Sequence, residues 1–121
     1  MSDITIWHNP RCSKSRATLA LLEAEGHSPV VRRYLDEPPS AEEIAVVLDA
    51  LGTAPFTLVR TCEPEFATAG IGPQSDAAAV SRALAAHPRL IERPVVICGA
   101  RAAIGRPPEG VRAILPAPGQ R

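Results

Sequence analysis

An α/β fold is predicted by three features of the sequence: a strand–helix–strand opening, a helix-rich middle, and a strand pair followed by a helix at the end. Asp3 to Trp7 (DITIW) alternates and is rich in β-formers, so it reads as a first strand. His8-Asn9-Pro10 breaks it with a turn signal. Ser13 to Glu25 then sets Ala17, Leu19, Ala20, Leu21, Leu22 and Ala24 on a helical face, and Gly26 is suited to stop the helix. Ser28 to Leu35 reads as the second strand. A strand, a helix and a strand in so short a span fit one βαβ crossover.

The middle opens after the break at Asp36 to Pro39, where Ser40-Ala41-Glu42-Glu43 fits a capping box. The helix it starts is expected to run to about Leu51 and end at Gly52. Phe56 to Arg60 reads as a second helical piece, Gly70 to Pro73 as a loop, and Ser75 to His87 as an alanine-rich helix that Pro88 terminates. Pro94 to Cys98 (PVVIC) is a short apolar strand, and Gly99-Ala100 turns it into Arg101 to Ile104 as a hairpin. Pro107-Pro108 opens a last helix from about Glu109 to Leu115, with proline tolerated in its first turn, and the tail over 116–121 is expected to fray. This connectivity is that of a thioredoxin-like fold, with a helical insertion over about 40–88 between its two halves.

A chain of 121 residues suits one domain, here 1–121, and buries enough surface to fold without disulfides or metal. Its 13 basic and 13 acidic residues balance, which argues against a coat for nucleic acid or anionic membrane. No basic leader precedes a long apolar stretch, and no run reaches the roughly 18 apolar residues of a membrane span. The cytoplasm is the expected compartment and a monomer the expected state. Cys12, Cys62 and Cys98 are odd in number and widely spaced, which is a poor disulfide framework. None has the close cysteine or histidine partner that zinc requires, so no metal is expected; no bound cofactor is expected either.

Of the three thiols, Cys12 is the reactive candidate. It lies between the His8-Asn9-Pro10 turn and a helix starting near Ser13, where unpaired N–H groups and the positive end of the helix dipole favour a thiolate. The same amides suit an oxyanion, so nucleophile and anion site would coincide. Ser13 and Ser15 add hydroxyls able to donate to the sulfur, and Lys14 and Arg16 add positive charge. Serine at position 15 means that no Cys-x-x-Cys pair is present, which removes the local resolving thiol. His8 would favour the thiolate as an imidazolium, or else only hydrogen-bond across the turn; the two readings weigh equally. Asn9 shapes the loop. Thr18 stands where a tyrosine-phosphatase loop would need arginine, so that motif is absent.

HNPRCSKSR, from His8 to Arg16, resembles the active-site loop of the glutaredoxin-dependent arsenate reductase family. The similarity continues through Tyr34-Leu35, Arg60, Glu92-Arg93-Pro94-Val95-Val96 and Ile104-Gly105-Arg106-Pro107-Pro108-Glu109, covering about Ile4 to Leu115. The resemblance implies that Cys12 is the nucleophile and that His8 tunes it. It places Arg60, Arg93 and Arg106 on the arginines that surround the oxyanion, and Pro94 on the cis-proline facing the active cysteine. Arginine forks match a tetrahedral arsenate dianion and relieve its repulsion from a thiolate. Sequence alone favours a solvated surface residue for Arg60; Arg93 and Arg106 flank the predicted hairpin.

The implied cycle runs through an arsenylated Cys12, reduction of arsenic by glutathione as co-substrate, and resolution of the resulting mixed disulfide by glutaredoxin. Cys62, two residues beyond Arg60, is either an internal resolving thiol or inert, and inert is favoured. Cys98 is expected in the core. Two rivals stand beside this reading. One is a transcription regulator of the same fold that binds RNA polymerase, which senses oxidation through a cysteine pair that Ser15 removes here. The other is a glutathione-linked thiol reductase whose arginines bind carboxylates of another substrate.

Overall fold

A computed structural model of the chain describes residues 4–115. Asp3, assigned above to the first strand, and the tail over 116–121 lie outside the described residues. The chain divides into two compact units: the first takes in the chain up to Arg32 and again from Arg93, and the second is Arg33–Glu92.

The first unit is a four-stranded sheet in the order β2-β1-β3-β4, with β1 at Ile4–Trp7, β2 at Val30–Arg32, β3 at Val95–Cys98 and β4 at Arg101–Ile104. β1 and β2 are parallel, joined through helix α1 (Ser13–Ala24), while β1–β3 and β3–β4 are antiparallel. This is the thioredoxin-like arrangement. Ile4, Ile6, Leu22, Val96, Val111, Ile114 and Leu115 form its core, with Cys98 packed against them and partly buried. Each fully buried aliphatic side chain of this kind contributes about 2 kcal/mol through area removed from water.

Two elements of this unit differ from expectation. β2 covers three residues rather than Ser28 to Leu35, because the amides of Asp36 and Glu37 both donate to the Arg33 carbonyl and close a turn. Val30 and Val31 are exposed on this edge, so their β-branched pattern reflects strand propensity without burial. The last helix is a 3₁₀ segment, Pro108–Ile114, in which Gly110 donates to Pro107 and Leu115 to Arg112. A proline at its start and a glycine two residues on leave little local preference for the wider α-helical turn.

The second unit is helical. The capping box forms as the sequence implies, with the Ser40 hydroxyl accepting from the Glu43 amide and the Glu43 carboxylate accepting from the Ser40 amide. It opens α2 (Ala41–Leu51), which ends at Gly52 with a φ of 67°, the left-handed turn that glycine adopts without strain. Pro55–Leu58 is a 3₁₀ turn, and Arg60 lies beyond it in extended chain rather than in a helical piece. A short α3 (Phe66–Ala69) was not expected. α4 spans Ala77–Ala86 and is capped by Asp76, so it starts later than Ser75. Pro88 ends it by opening a further 3₁₀ turn to Leu90. α2 packs on α4 through Ile44, Val47, Leu48, Val80 and Leu84, all buried.

Candidate functional site

The strand registers of the first unit bring three loops to one end of the sheet. Trp7 at the end of β1 pairs with Val95 at the start of β3, and Val95 pairs with Ile104 at the end of β4. Whatever follows β1, precedes β3 and follows β4 must therefore meet. Those segments are His8 to Cys12, Arg93-Pro94, and Gly105-Arg106. The Gly105 amide donates to the Pro94 carbonyl at 2.9 Å and extends the β3–β4 ladder into the site. The Arg93–Pro94 peptide is cis, as is Arg106–Pro107, which the sequence reading did not single out.

The loop after β1 is held by its own polar groups. The His8 amide donates to the Arg32 carbonyl, the Cys12 amide to the Asn9 carbonyl, and the Arg11 amide to Asn9 Oδ1 at 3.0 Å. The last is an Asx turn, the local bond for which asparagine is suited. Arg16 Nη1 donates to the Pro10 carbonyl at 2.9 Å and braces the same loop. Ser15 is fully buried, and its Oγ accepts from the Asn9 amide at 3.0 Å and lies 2.6 Å from His8 Nδ1. The Ser15 hydroxyl is thus spent on the turn rather than on the sulfur. His8 is buried and takes part in the cross-turn bond that one of its two readings described.

Cys12 occupies the N-cap position of α1 with extended backbone (φ −97°, ψ 123°), and its carbonyl accepts the first helical bond from Arg16. Its side chain closes no full cap bond. Partial burial pushes the thiol up, but the backbone amide of Ser15, the side chain of Arg93 and the amide of Lys14 outweigh it, and the thiol sits below its ordinary value. Arg106 Nη1 lies 3.9 Å from Cys12 Sγ and donates to the Arg93 carbonyl at 3.2 Å. Two arginines, one just before the hairpin and one just after it, therefore converge on one sulfur.

The reactivity of that thiol follows from its surroundings. Alkylation of Cys12 is expected to rise with pH through an inflection below that of free cysteine, because only the thiolate attacks. Arg93→Gln should move the inflection upward, measured by pH-dependent iodoacetamide labelling; an unmoved inflection would remove Arg93 from the set of groups that favour the anion. The linked stability has the matching sign. A thiol depressed in the folded state stabilises the fold above the unfolded-state value, and that contribution is lost as pH falls through the folded value.

Thr18 and Gly105 belong to the site's frame, although neither stood out as a site residue in the sequence. Thr18 Oγ1 donates to the Lys14 carbonyl at 2.8 Å and lies 3.5 Å from the Gly105 carbonyl oxygen. A Cβ on Gly105 would come within 2.5 Å of Thr18 Oγ1 and 2.8 Å of Pro94 Cγ. The available signal was a glycine placed between a strand and Arg-Pro-Pro, where close backbone approach is one reason for glycine.

Arg60 and Cys62 belong to the second unit. Arg60 is half-buried, its Nη1 paired with Glu92 Oε1 at 2.9 Å and its Nε with Glu63 Oε2 at 3.4 Å. Burial lowers its proton affinity, but the Glu92 and Glu63 carboxylates more than restore it, so the guanidinium stays charged. The solvated surface arginine expected from sequence alone is instead an ion-paired one. Glu63 also pairs with Arg89 Nη2 at 3.2 Å. Cys62 is exposed, with Arg60 Nη2 at 3.7 Å from its sulfur. No cluster of three or more potential metal ligands occurs among the described residues, and no helix among them is long and apolar enough to cross a membrane.

Residues 7–114 match the ArsC family. An arsenate reductase of Neisseria meningitidis serogroup A is 44% identical over 117 residues, covering 95% of this chain and 100% of the relative. An arsenate reductase of Haemophilus influenzae is 40% identical over 114 residues, covering 93% of this chain and 98% of that protein. Among solved structures, an arsenate reductase from Vibrio cholerae superposes with a TM-score of 0.86 at 44% identity, covering 93% of this chain and 97% of that one.

Proposed function

This chain belongs to the ArsC family, and on that premise we propose that it is an arsenate reductase that uses Cys12 as nucleophile and glutathione with glutaredoxin as reductants. The observation that carries this reading is the convergence of Arg93, Arg106 and the first amides of α1 on the Cys12 sulfur. A thiolate and an arsenate dianion repel each other, and a cationic frame that holds both lowers the barrier to their reaction.

In the first step the Cys12 thiolate attacks arsenic, an S–As bond forms, and one arsenate oxygen leaves as water after taking up protons. Arg93 and Arg106 bind the remaining oxygens, and their forked donors suit the tetrahedral array. The resemblance adds Arg60 as a third oxyanion arginine. A glutathione thiolate then attacks Cys12 Sγ. The S–As electron pair stays on arsenic, which falls from the pentavalent to the trivalent state and departs as arsenite. Cys12 is left in a mixed disulfide with glutathione, and a glutaredoxin thiolate attacks the glutathione sulfur to release the Cys12 thiolate. Two thiols are oxidised for each arsenate reduced. No bound cofactor is required, and Ser15 in place of a second cysteine fits a reductant drawn from outside the chain.

The test is arsenate-dependent NADPH oxidation coupled through glutathione reductase, with glutathione and glutaredoxin each withheld in turn. Turnover that requires both supports the reading. Turnover sustained by thioredoxin and thioredoxin reductase alone would assign different reductants, and absence of arsenate-dependent turnover under either regime would reject the activity.

A further inference from the structure

The end of the sheet that carries Cys12 holds more positive charge than the capture of one small oxyanion uses. Arg93 contributes a donor to the sulfur, Arg106 reaches both the sulfur and the Arg93 carbonyl, and Arg16 donates to the Pro10 carbonyl. Arg11 and Lys14 flank Cys12 on either side, are exposed, and make no side-chain hydrogen bond or ion pair with any described residue.

The placement of these two cations is unfavourable for the fold. The first turn of α1 contains no acidic residue, and Lys14 sits there against the positive end of the helix dipole. Arg11, Lys14, Arg93 and Arg106 also repel one another around a single loop end. Charges that cost stability and serve no internal contact are accounted for when an anion joins them. Arg93 and Arg106 already face the sulfur, where a small oxyanion reacts. Arg11 and Lys14 are long side chains at the rim, suited to negative groups set further from the reacting atom.

We propose that Arg11 and Lys14 select an anionic thiol, one bearing carboxylates several bonds from its sulfur, as the co-substrate that discharges Cys12. This rests on the reading of Cys12 as nucleophile and names what it prefers in the second half of the cycle. Glutathione has this form, with two carboxylates and one ammonium group. The rim concentrates such a thiol at the loop and orients its sulfur toward Cys12 Sγ, and the effect weakens as salt screens the exposed charges.

The experiment uses the full chain carrying Cys62→Ser, with Cys12 converted to a neutral pyridyl disulfide by dithiodipyridine and the labelled peptide mapped by mass spectrometry. A thiolate attacks Cys12 Sγ, the bond to the pyridyl sulfur breaks, and thiopyridone leaves and is read by its absorbance. Rates are compared for glutathione, mercaptoethanol and cysteamine, which differ in charge, each corrected for its thiolate fraction. At low ionic strength glutathione is expected to outpace cysteamine by roughly tenfold, and the preference should fall several-fold in Arg11→Gln/Lys14→Gln. The mercaptoethanol thiolate, with a single negative charge, should slow less than glutathione, the cysteamine rate should hold, and Arg11→Lys should keep the preference. Equal rates in the wild type, a preference that survives in the double variant, or an equal fall for all three thiols would overturn the inference while leaving the nucleophile intact. A Cys12 that takes up no label would overturn the nucleophile reading, and this inference with it.

Discussion

Replacing Cys12 by serine is expected to cut arsenate-dependent turnover by roughly a thousandfold or more while leaving the fold as stable as before, or slightly more so. The two halves of this expectation have separate causes. In the proposed cycle the sulfur bonds to arsenic and then to a second sulfur, and formation of that disulfide supplies the two electrons that arsenic gains. A serine oxygen is far less ionised near neutral pH and has no counterpart to the disulfide. Stability moves the other way because Cys12 occupies an N-cap position without a side-chain cap bond. Serine is among the best N-cap residues, and its hydroxyl accepts from the amides at the second or third helical position, here Lys14 or Ser15. A gain of up to about 1 kcal/mol follows from capping at pH below the unfolded-state value of the thiol, and it shrinks at higher pH, where the depressed thiol itself stabilises the fold. Steady-state turnover and a denaturation curve on the same preparation check both parts. A variant that keeps wild-type turnover would end the nucleophile assignment, and one that loses activity by unfolding would show the cap argument to be wrong.

That trade between cap and nucleophile was half legible in the sequence. A cysteine between an Asn-Pro turn and a helix start can be seen without coordinates, and so can the hairpin and the Ser40 capping box, since each depends on neighbours a few residues apart. The use of the Ser15 hydroxyl was not legible. Its spacing from Cys12 suits a bond to the sulfur as well as a bond to the turn, and the choice falls to His8 and Asn9, which converge on the buried hydroxyl. The ion pairing of Arg60, in place of the solvated surface position that sequence alone favours, was hidden for a related reason. Its pairing with Glu92 joins residues 32 positions apart, a distance that periodicity does not reach. The length of β2 also depends on context, because Val30 and Val31 carry the propensity of a strand while the Arg33 carbonyl gathers the next amides into a turn. Thr18 and Gly105, 87 positions apart, lie beyond local reasoning altogether.

The contact between those two residues sets the second large effect. Gly105→Ala is expected to destabilise the first unit by about 2 kcal/mol, within the range for adding a methyl group to a packed site. The new Cβ would lie 2.5 Å from Thr18 Oγ1, 2.8 Å from Pro94 Cγ and 3.1 Å from Thr18 Cγ2, so α1, the Pro94 segment or the Gly105 backbone has to give way. Each of those movements displaces a group at the sulfur. α1 carries Cys12 at its cap, Pro94 follows Arg93, and Gly105 precedes Arg106, whose guanidinium lies 3.9 Å from Sγ. The variant should therefore also raise the Cys12 thiol toward its ordinary value, a change that destabilisation at a distant core position would not produce. Trp7, the single tryptophan of the chain and almost fully buried in this unit, reports unfolding by fluorescence. Thr18→Ala removes two of the three close atoms, so it should offset part of the Gly105→Ala penalty and leave the double variant less destabilised than the sum of the singles. Strict additivity of the two substitutions, or an unshifted thiol in Gly105→Ala, would mean that this close approach does not hold the arginines on Cys12.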